Sequence, residues 1–485
     1  MTVQRLFIEG AWVDGDGTFG VVSPWDGQEI AAVAVARPEQ VTAAIDAAHA
    51  RLANPLPLVR RAEILERASA LIAEHAEELA QLLCAEAGKP ITAARVEVAR
   101  AVDTMQLSGE EARRISARTI PIDGVAGGVG MIGFELAQPA GVVAAITPFN
   151  FPLNLVCHKV GPCLAAGCPV VLKPSEKTPL SAGRLVGLLH EAGLPAGMLN
   201  LVTGDPGLIV GKLLDDPRVA IVNFTGSAEV GWSLKQRSPR KRHVLELGSN
   251  TAMVVAADAD LDAAVDAAVT GGFGFAGQAC ISLQRVYVED VVHDAFVDKL
   301  TAATRALKAG DPASPDTVVG PLITTEARDR VAKRITEAVA AGATVRAGGE
   351  ITDGVLAPTV LSGVGDDASI LREEAFGPVV SVVAVPDLDA AVAAVNDSRF
   401  GLNTAIFTAD LQAAMNYATR AEAGSVLINI PASFRADNMP YGGVKDSGQG
   451  REGVASAVAE MTERKLVLLR GGVPVPDTQD RKATQ

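Results

Sequence analysis

The sequence predicts an α/β protein: a doubly wound parallel sheet, a second α/β unit after it, and a β-hairpin arm where an N-terminal helical layer meets the first sheet. Three observations predict this. From Gly141 onward, short runs rich in Val, Ile and Leu (Val142 to Ile146, Val170 to Leu172, Leu199 to Val202, Ala220 to Phe224, Val244 to Leu247) alternate with segments of helical spacing. That is the pattern of βαβ units whose strands are covered on both faces. A second alternation starts at Met253-Val254-Val255 and continues through Arg285 to Val288, Val379 to Val385, Ala405 to Phe407 and Ser425 to Ile428. Ahead of both, Thr119 to Ile122 and Met131 to Leu136 are strand-like runs joined by the glycine-rich Gly124 to Gly130, which reads as a long hairpin.

Taken in order, residues from about Pro38 to Ala117 carry small apolar side chains at helical spacing, with Glu63, Glu66, Arg67, Glu77 and Glu78 between them. They form an outer helical layer. In the second unit a helix near Leu261 to Val269 leads into Phe273-Gly274-Phe275-Ala276-Gly277-Gln278-Ala279-Cys280-Ile281-Ser282, a loop that delivers one cysteine just before a strand. Arg464 to Leu469 is a last strand, and Gly471 to Gln485 is a polar, proline-marked tail or inter-subunit contact.

The 485 residues exceed what one core accommodates, so two or three domains are expected. With 48% hydrophobic and 21% charged residues the profile is globular, and the net charge of -14 argues against nucleic-acid or anionic-membrane partners, which need a positive footprint. The cysteines (Cys84, Cys157, Cys163, Cys168, Cys280) are odd in number and contain no CxxC pair, so neither a disulfide framework nor a metal site is indicated and a cytoplasmic setting fits. Met1 to Gly10 is not a secretory signal. The uncharged stretch between Glu135 and His158 has the length of a membrane span, but Pro139, Pro148 and Pro152 rule it out as a transmembrane helix.

Two glycine patterns fit G-x-G-x-x-G: Gly128, Gly130, Gly133 and Gly272, Gly274, Gly277. The dinucleotide fingerprint needs a strand before it and a helix after it. The first match leads into a strand and the second follows a helix, so both fail. A better phosphate site is Phe224-Thr225-Gly226-Ser227-Ala228-Glu229, where a strand ends and a helix opens. Ordinary capping by Ser227 is the competing reading.

Four further stretches stand at strand ends or loops: Thr147-Pro148-Phe149-Asn150-Phe151-Pro152, Lys173-Pro174-Ser175-Glu176, Leu245-Glu246-Leu247-Gly248 and Glu373-Glu374-Ala375-Phe376-Gly377-Pro378. With Gly277-Gln278-Ala279-Cys280, the ordered set resembles the aldehyde dehydrogenase superfamily, from the N-terminal helices to Tyr441-Gly442-Gly443-Val444-Lys445. The resemblance implies that Cys280 attacks an aldehyde to give a thiohemiacetal. It assigns the oxyanion to the Asn150 amide and the Cys280 backbone N–H, a donor worth about 3 kcal/mol. Glu246 becomes the general base that activates water on the thioester. The competing reading of Asn150 is a turn residue before Pro152, and of Glu246 a strand-end charge paired to Arg242 or His243.

The same resemblance implies NAD held by Thr147, Phe149, Lys173, Ser175, Glu176, Gly226, Ser227, Leu247, Glu374 and Phe376. Glu176 at the adenosine ribose repels a 2'-phosphate, favouring NAD over NADP, with NADP possible. Residues 1–118 and 140–248 then form the NAD-binding domain, 249–460 the catalytic domain, 119–139 with 461–472 an oligomerisation arm, and 473–485 a tail. The pocket would be lined by Phe151, Asn154, His158, Ile281, Arg435 and Tyr441, with Met105 as a further apolar wall from the preceding helical layer. Asn154 and His158 sit at i and i+4 on a helix, and a polar wall there suits a polar or anionic aldehyde. A packed histidine and a solvated surface arginine are the alternatives for His158 and Arg435, and Arg285 reads as an ion-pair partner. Ser249-Asn250-Thr251 departs from the commoner family pattern. With Cys280-Ile281-Ser282-Leu283-Gln284-Arg285 it resembles a branch that acts on lactaldehyde, glycolaldehyde and related small polar aldehydes.

Three alternatives use the same residues: a coenzyme A-acylating or NADP-dependent semialdehyde dehydrogenase, a Cys280/Glu246/Lys173 amidase, and a non-catalytic structural protein. Glu246 argues against the acylating type, since thiolysis needs no such base. Edge strands in the hairpin and at Arg464 to Leu469 call for cover. In the resembled family such arms build homodimers or homotetramers, so self-association is expected and a monomeric mass in solution would contradict it.

Overall fold

A computed structural model describes residues 3–471 of the chain. The tail 473–485 lies outside the described residues. The first sheet has eight strands, in the order Gly448–Gln449, Arg242–Glu246, Val219–Thr225, Val142–Ile146, Val170–Lys173, Leu199–Leu201, Leu6–Ile8, Ala11–Val13. The five strands the sequence predicts for this sheet run parallel. Their order reverses between Val142–Ile146 and Val219–Thr225, so a crevice opens at the carboxyl ends of those two strands, the general ligand position of doubly wound sheets.

Alternate residues of each strand explain why the runs are continuous in apolar type. Val143 and Ala145 pack into the core formed with the helices Leu58–Glu74, Ala76–Ala87, Ile91–Arg114 and Asn154–Ala166. Val142 and Ala144 pack on the other face with the helices Pro38–Arg51 and Pro206–Asp215. Both faces are dry, so no polar alternation is visible.

The second sheet has the order Thr344–Ala347, Thr359–Ser362, Val379–Val385, Arg285–Glu289, Ala252–Val255, Asn403–Phe407, Ser425–Ile428. All pairs but the first are parallel. The strands Thr344–Ala347 and Thr359–Ser362 add to those read from the sequence, as do the N-terminal strands up to Ala34. The latter are two to six residues long, too short for period-2 patterning to stand out. Thr119–Ile120 and Met131–Pro139 pair antiparallel, and Thr462–Arg470 joins them over nine residues to make a separate three-stranded sheet. It presents Leu136, Leu466, Leu468 and Leu469 to the outside.

The stretch between Glu135 and His158 falls across two strands and the start of a helix, and no described helix is long and apolar enough to cross a membrane. Gly133 lies in a strand, and Gly272 ends the helix Leu261–Phe273. Both glycine patterns therefore lack the strand–turn–helix context.

Candidate active site

The carboxyl ends of the first sheet's strands carry polar side chains toward one place. Thr147 and Thr225 leave the two strands that flank the crevice, and both hydroxyl oxygens are buried without a protein partner. Lys173 ends its strand in an ion pair with Glu176, and Ser175 accepts from the Lys177 N–H at 3.2 Å. Gly226 and Ser227 lead into the helix Ala228–Arg237, whose Val230 N–H donates to Ser227 Oγ at 3.4 Å. The capping reading of Ser227 is thus observed, and it leaves the helix N-terminus facing the crevice side. Glu246 ends the strand Arg242–Glu246. Leu245 and Leu247 pack in an apolar cluster, so the carboxylate points to the opposite face.

Glu246 is almost fully buried and neither carboxylate oxygen has a hydrogen-bond partner among the described residues. Arg242 instead binds the Glu460 and Thr462 carbonyls and Glu463, and His243 contacts Ser238, so the strand-end pairing of Glu246 does not occur. Burial pushes the Glu246 carboxyl well above the ordinary range, and the nearby Glu452 adds to this, while Arg435, Lys159 and Arg451 oppose it. Glu452 takes the other role: burial works against its charge, but Lys159 at 2.9 Å and Arg435 at 3.0 Å keep it ionised.

Cys280 arrives from the second sheet. After the helix Leu261–Phe273 the chain turns through Phe275 (φ 50°), Ala276 (φ 53°) and Gly277 (φ 69°), three successive left-handed residues of which two have side chains. Such residues persist only when their surroundings hold them. Gln278 does so: it is fully buried, accepts from the Ile323 N–H at 2.9 Å, and donates to the Pro321 and Phe275 carbonyls at 3.3 and 3.4 Å. Lys89 lies over the Phe151 and Phe275 rings at 3.7 and 4.4 Å and is ion-paired to Glu97. The Gln278 carbonyl accepts from Asn150 Nδ2 at 2.9 Å, which ties the Asn150 amide to the cysteine loop.

Cys280 is half-buried, with Sγ 2.9 Å from Tyr441 Oη, and packs against Ile281, Leu402 and Tyr441. Burial pushes its thiol up to about 11; the Tyr441 contact and Arg435 pull it down, and Glu374 and Glu246 push it further up. The next residue after Tyr441 approaches Glu246: a Cβ on Gly442 would lie 3.0 Å from Glu246 Oε1. Asn150, Cys280 and Glu246 are therefore linked through Gln278 on one side and Tyr441-Gly442 on the other. A thiol, an amide donor and a buried carboxylate so arranged can form a covalent adduct, hold an oxyanion and take a proton from water.

This chain matches the Aldehyde dehydrogenase family over residues 12–467. The chain belongs to that family. The 3-sulfolactaldehyde dehydrogenase of Priestia megaterium is 41% identical over 464 residues, covering 96% of this chain and 97% of that protein. Aldehyde dehydrogenase 21 from Physcomitrella patens, solved in complex with the reaction product succinate, superposes with a TM-score of 0.94 at 38% identity, over 97% of this chain and 99% of that one. The NAD-dependent aldehyde dehydrogenase from Sinorhizobium meliloti superposes with a TM-score of 0.94 at 35% identity, over 98% and 96%.

In this aldehyde dehydrogenase Glu374 accepts from the Ser249 N–H at 3.0 Å and sits against Gly248, and burial pushes its carboxyl up to about 7. Phe376, itself left-handed at φ 49°, packs edge-on against Phe149 at 5.8 Å. Two sequence expectations are corrected. Arg435 is not a solvated surface arginine: it is buried, paired to Glu452 and stacked 3.8 Å over the Tyr441 ring. Arg285 makes no ion pair among the described residues and donates to the Asn250, Ala394 and Val395 carbonyls. Of the two readings of His158, a polar pocket wall and a packed histidine, the second is observed: its Nε2 meets Asp437 Oδ1 at 2.9 Å, and burial pushes it down to about 4. Asn154 donates to the same oxygen at 3.2 Å, and Arg100 completes the pair with Asp437.

Lys89, Glu97, Lys159, Asp437 and Glu452 escaped the sequence reading. The signal was present for one of them: Lys159 is a lone charge in the apolar run Leu155 to Leu164, and a buried charge must have a partner.

Proposed function

We propose that this enzyme oxidises a small polar or anionic aldehyde to its carboxylic acid with NAD, through a covalent intermediate on Cys280. The observation that carries the reading is the linkage just described. Both Glu246 oxygens are free of protein partners yet buried beside the segment that touches the Cys280 sulfur.

The residues fit NAD. The partnerless Thr147 and Thr225 hydroxyls, the Gly226-Ser227 helix entrance, Lys173 with Glu176, Ser175, Leu247, Glu374 at Gly248 and the Phe149–Phe376 pair surround the switch-point crevice. When bound, NAD supplies the hydride acceptor. Cys280 as thiolate forms a C–S bond to the aldehyde carbon, and the carbonyl electron pair moves onto oxygen. The second N–H of Asn150 Nδ2, not used by Gln278, and the Cys280 backbone N–H hold that oxyanion. Loss of hydride leaves a thioester on Cys280. Glu246 then takes a proton from the water that attacks this thioester, and the acid leaves as the thiolate returns.

The substrate class draws support from Arg435, a buried cation whose Nε has no partner among the described residues and whose guanidinium stacks on the Tyr441 ring that touches the Cys280 sulfur. Two of the relatives named above carry an anionic compound in their printed names, 3-sulfolactaldehyde for the Priestia megaterium enzyme and succinate for the Physcomitrella patens one. Met105 is buried in the first core, with its sulfur against Gly161. Self-association through the outward-facing leucines of the three-stranded sheet completes the reading. The test is steady-state kinetics over neutral, hydroxylated, carboxylated and sulfonated short aldehydes with NAD and NADP, with and without coenzyme A. NAD reduction without coenzyme A, fastest on an anionic or hydroxylated member, is expected. An absolute coenzyme A requirement, or a preference for long apolar aldehydes, would overturn it.

A further inference from the structure

We infer that the Tyr441 hydroxyl is a catalytic group that donates a hydrogen bond to the Cys280 sulfur and stabilises its thiolate form; this rests on the reading of Cys280 as nucleophile. A buried phenol must place its O–H on a partner. Tyr441 is 1% exposed and the Cys280 sulfur, at 2.9 Å, is its hydroxyl's partner.

The hydroxyl is held in place from three directions. Tyr441 and Glu452 exchange both backbone hydrogen bonds, at 3.0 and 2.7 Å. The Glu452 side chain fixes the Arg435 guanidinium at 3.0 Å, and that guanidinium lies 3.8 Å over the Tyr441 ring. Ile281 and Leu402 close the remaining sides. A phenylalanine would fill the same volume and keep the stacking, so the contact to sulfur is what the oxygen adds. The cation over the ring draws electron density from the phenol and strengthens its O–H as a donor. The tyrosine keeps its proton throughout, because burial raises the phenol well above its ordinary value. The thiol proton leaves to solvent through the half-open side of Cys280.

The test is Tyr441→Phe in the full-length enzyme. Iodoacetamide alkylation of Cys280, followed at pH 8 by mass spectrometry of its peptide, should slow about threefold to tenfold, since a lost charge-assisted bond lowers the thiolate fraction while the more basic thiolate is more nucleophilic. kcat/KM for the aldehyde should fall about tenfold, with NAD affinity unchanged by fluorescence titration. Alkylation and kcat/KM both within twofold of the parent would overturn the inference. A Cys280→Ala variant that still oxidises aldehydes would instead overturn the nucleophile reading, while the alkylation comparison still reports on the hydrogen bond.

Discussion

The two parallel sheets contribute to one site by different means. The first sheet offers side chains where its strands end: Thr147, Lys173, Thr225 and Glu246 follow directly from β geometry, and Asn150 stands three residues beyond Thr147. The second sheet delivers Cys280 before a strand begins, through left-handed backbone at Phe275, Ala276 and Gly277. Another of its contributions, Phe376, is also left-handed. Regular strand ends suffice to place the proposed cofactor contacts and the proposed base. Bringing the proposed nucleophile to them requires backbone that is costly by itself and is held by Gln278 and Lys89.

The sharpest way to break this division of labour is at the base. Glu246→Gln keeps the shape of a buried side chain that makes no hydrogen bond in the protein, but it cannot accept a proton. We expect steady-state kcat to fall by about 10²- to 10⁴-fold, while a rapid first turnover of NADH persists because Cys280 and Asn150 are intact. Stopped-flow absorbance distinguishes the two phases. Loss of the burst along with turnover would mean that Glu246 serves the cysteine step and not the hydrolytic one.

A second test concerns the cysteine's surroundings. Burial holds the Cys280 thiol up at about 11, so below that pH the thiolate is the minor form and its fraction rises with pH. Between pH 7 and pH 9 the alkylation rate of Cys280 without cofactor should climb roughly a hundredfold, tenfold per unit. A rate that levels off near pH 8 would show that the loop exposes its thiol like that of an ordinary free cysteine.

The same contrast explains what the sequence revealed. Strand runs such as Val170 to Leu172 are legible because both faces are buried, and motifs at their ends are legible because the strand ends there. Arg435, Asp437 and Glu452 were not, because their roles depend on side chains 17 to more than 330 residues away: Arg435 on Glu452, Asp437 on Arg100. His158 stayed open between a polar wall and a packed histidine for the same reason, as nothing nearby in sequence announces Asp437. In the cysteine loop the glycines drew attention, yet two of the three left-handed positions are Phe275 and Ala276, which no local propensity assigns to that conformation.

Two glycines of that loop give the smallest and most discriminating effect. Gly277 has φ 69°, and a Cβ there would lie 2.1 Å from the Gly377 carbonyl oxygen, a backbone atom of the segment that positions Phe376. Gly274 has φ -53° and ψ 130°, and a Cβ there meets nothing within 4 Å. Gly277→Ala should therefore cost about 2 to 4 kcal/mol of stability from strain and forced backbone movement, with activity falling as Cys280 shifts relative to Asn150. Gly274→Ala should change stability by less than about 1 kcal/mol, on the favourable side if the unfolded chain loses freedom. Chemical denaturation of both variants checks this. Equal effects would mean that the loop's constraint is spread along its length and not concentrated where the cysteine segment crosses the Phe376 segment.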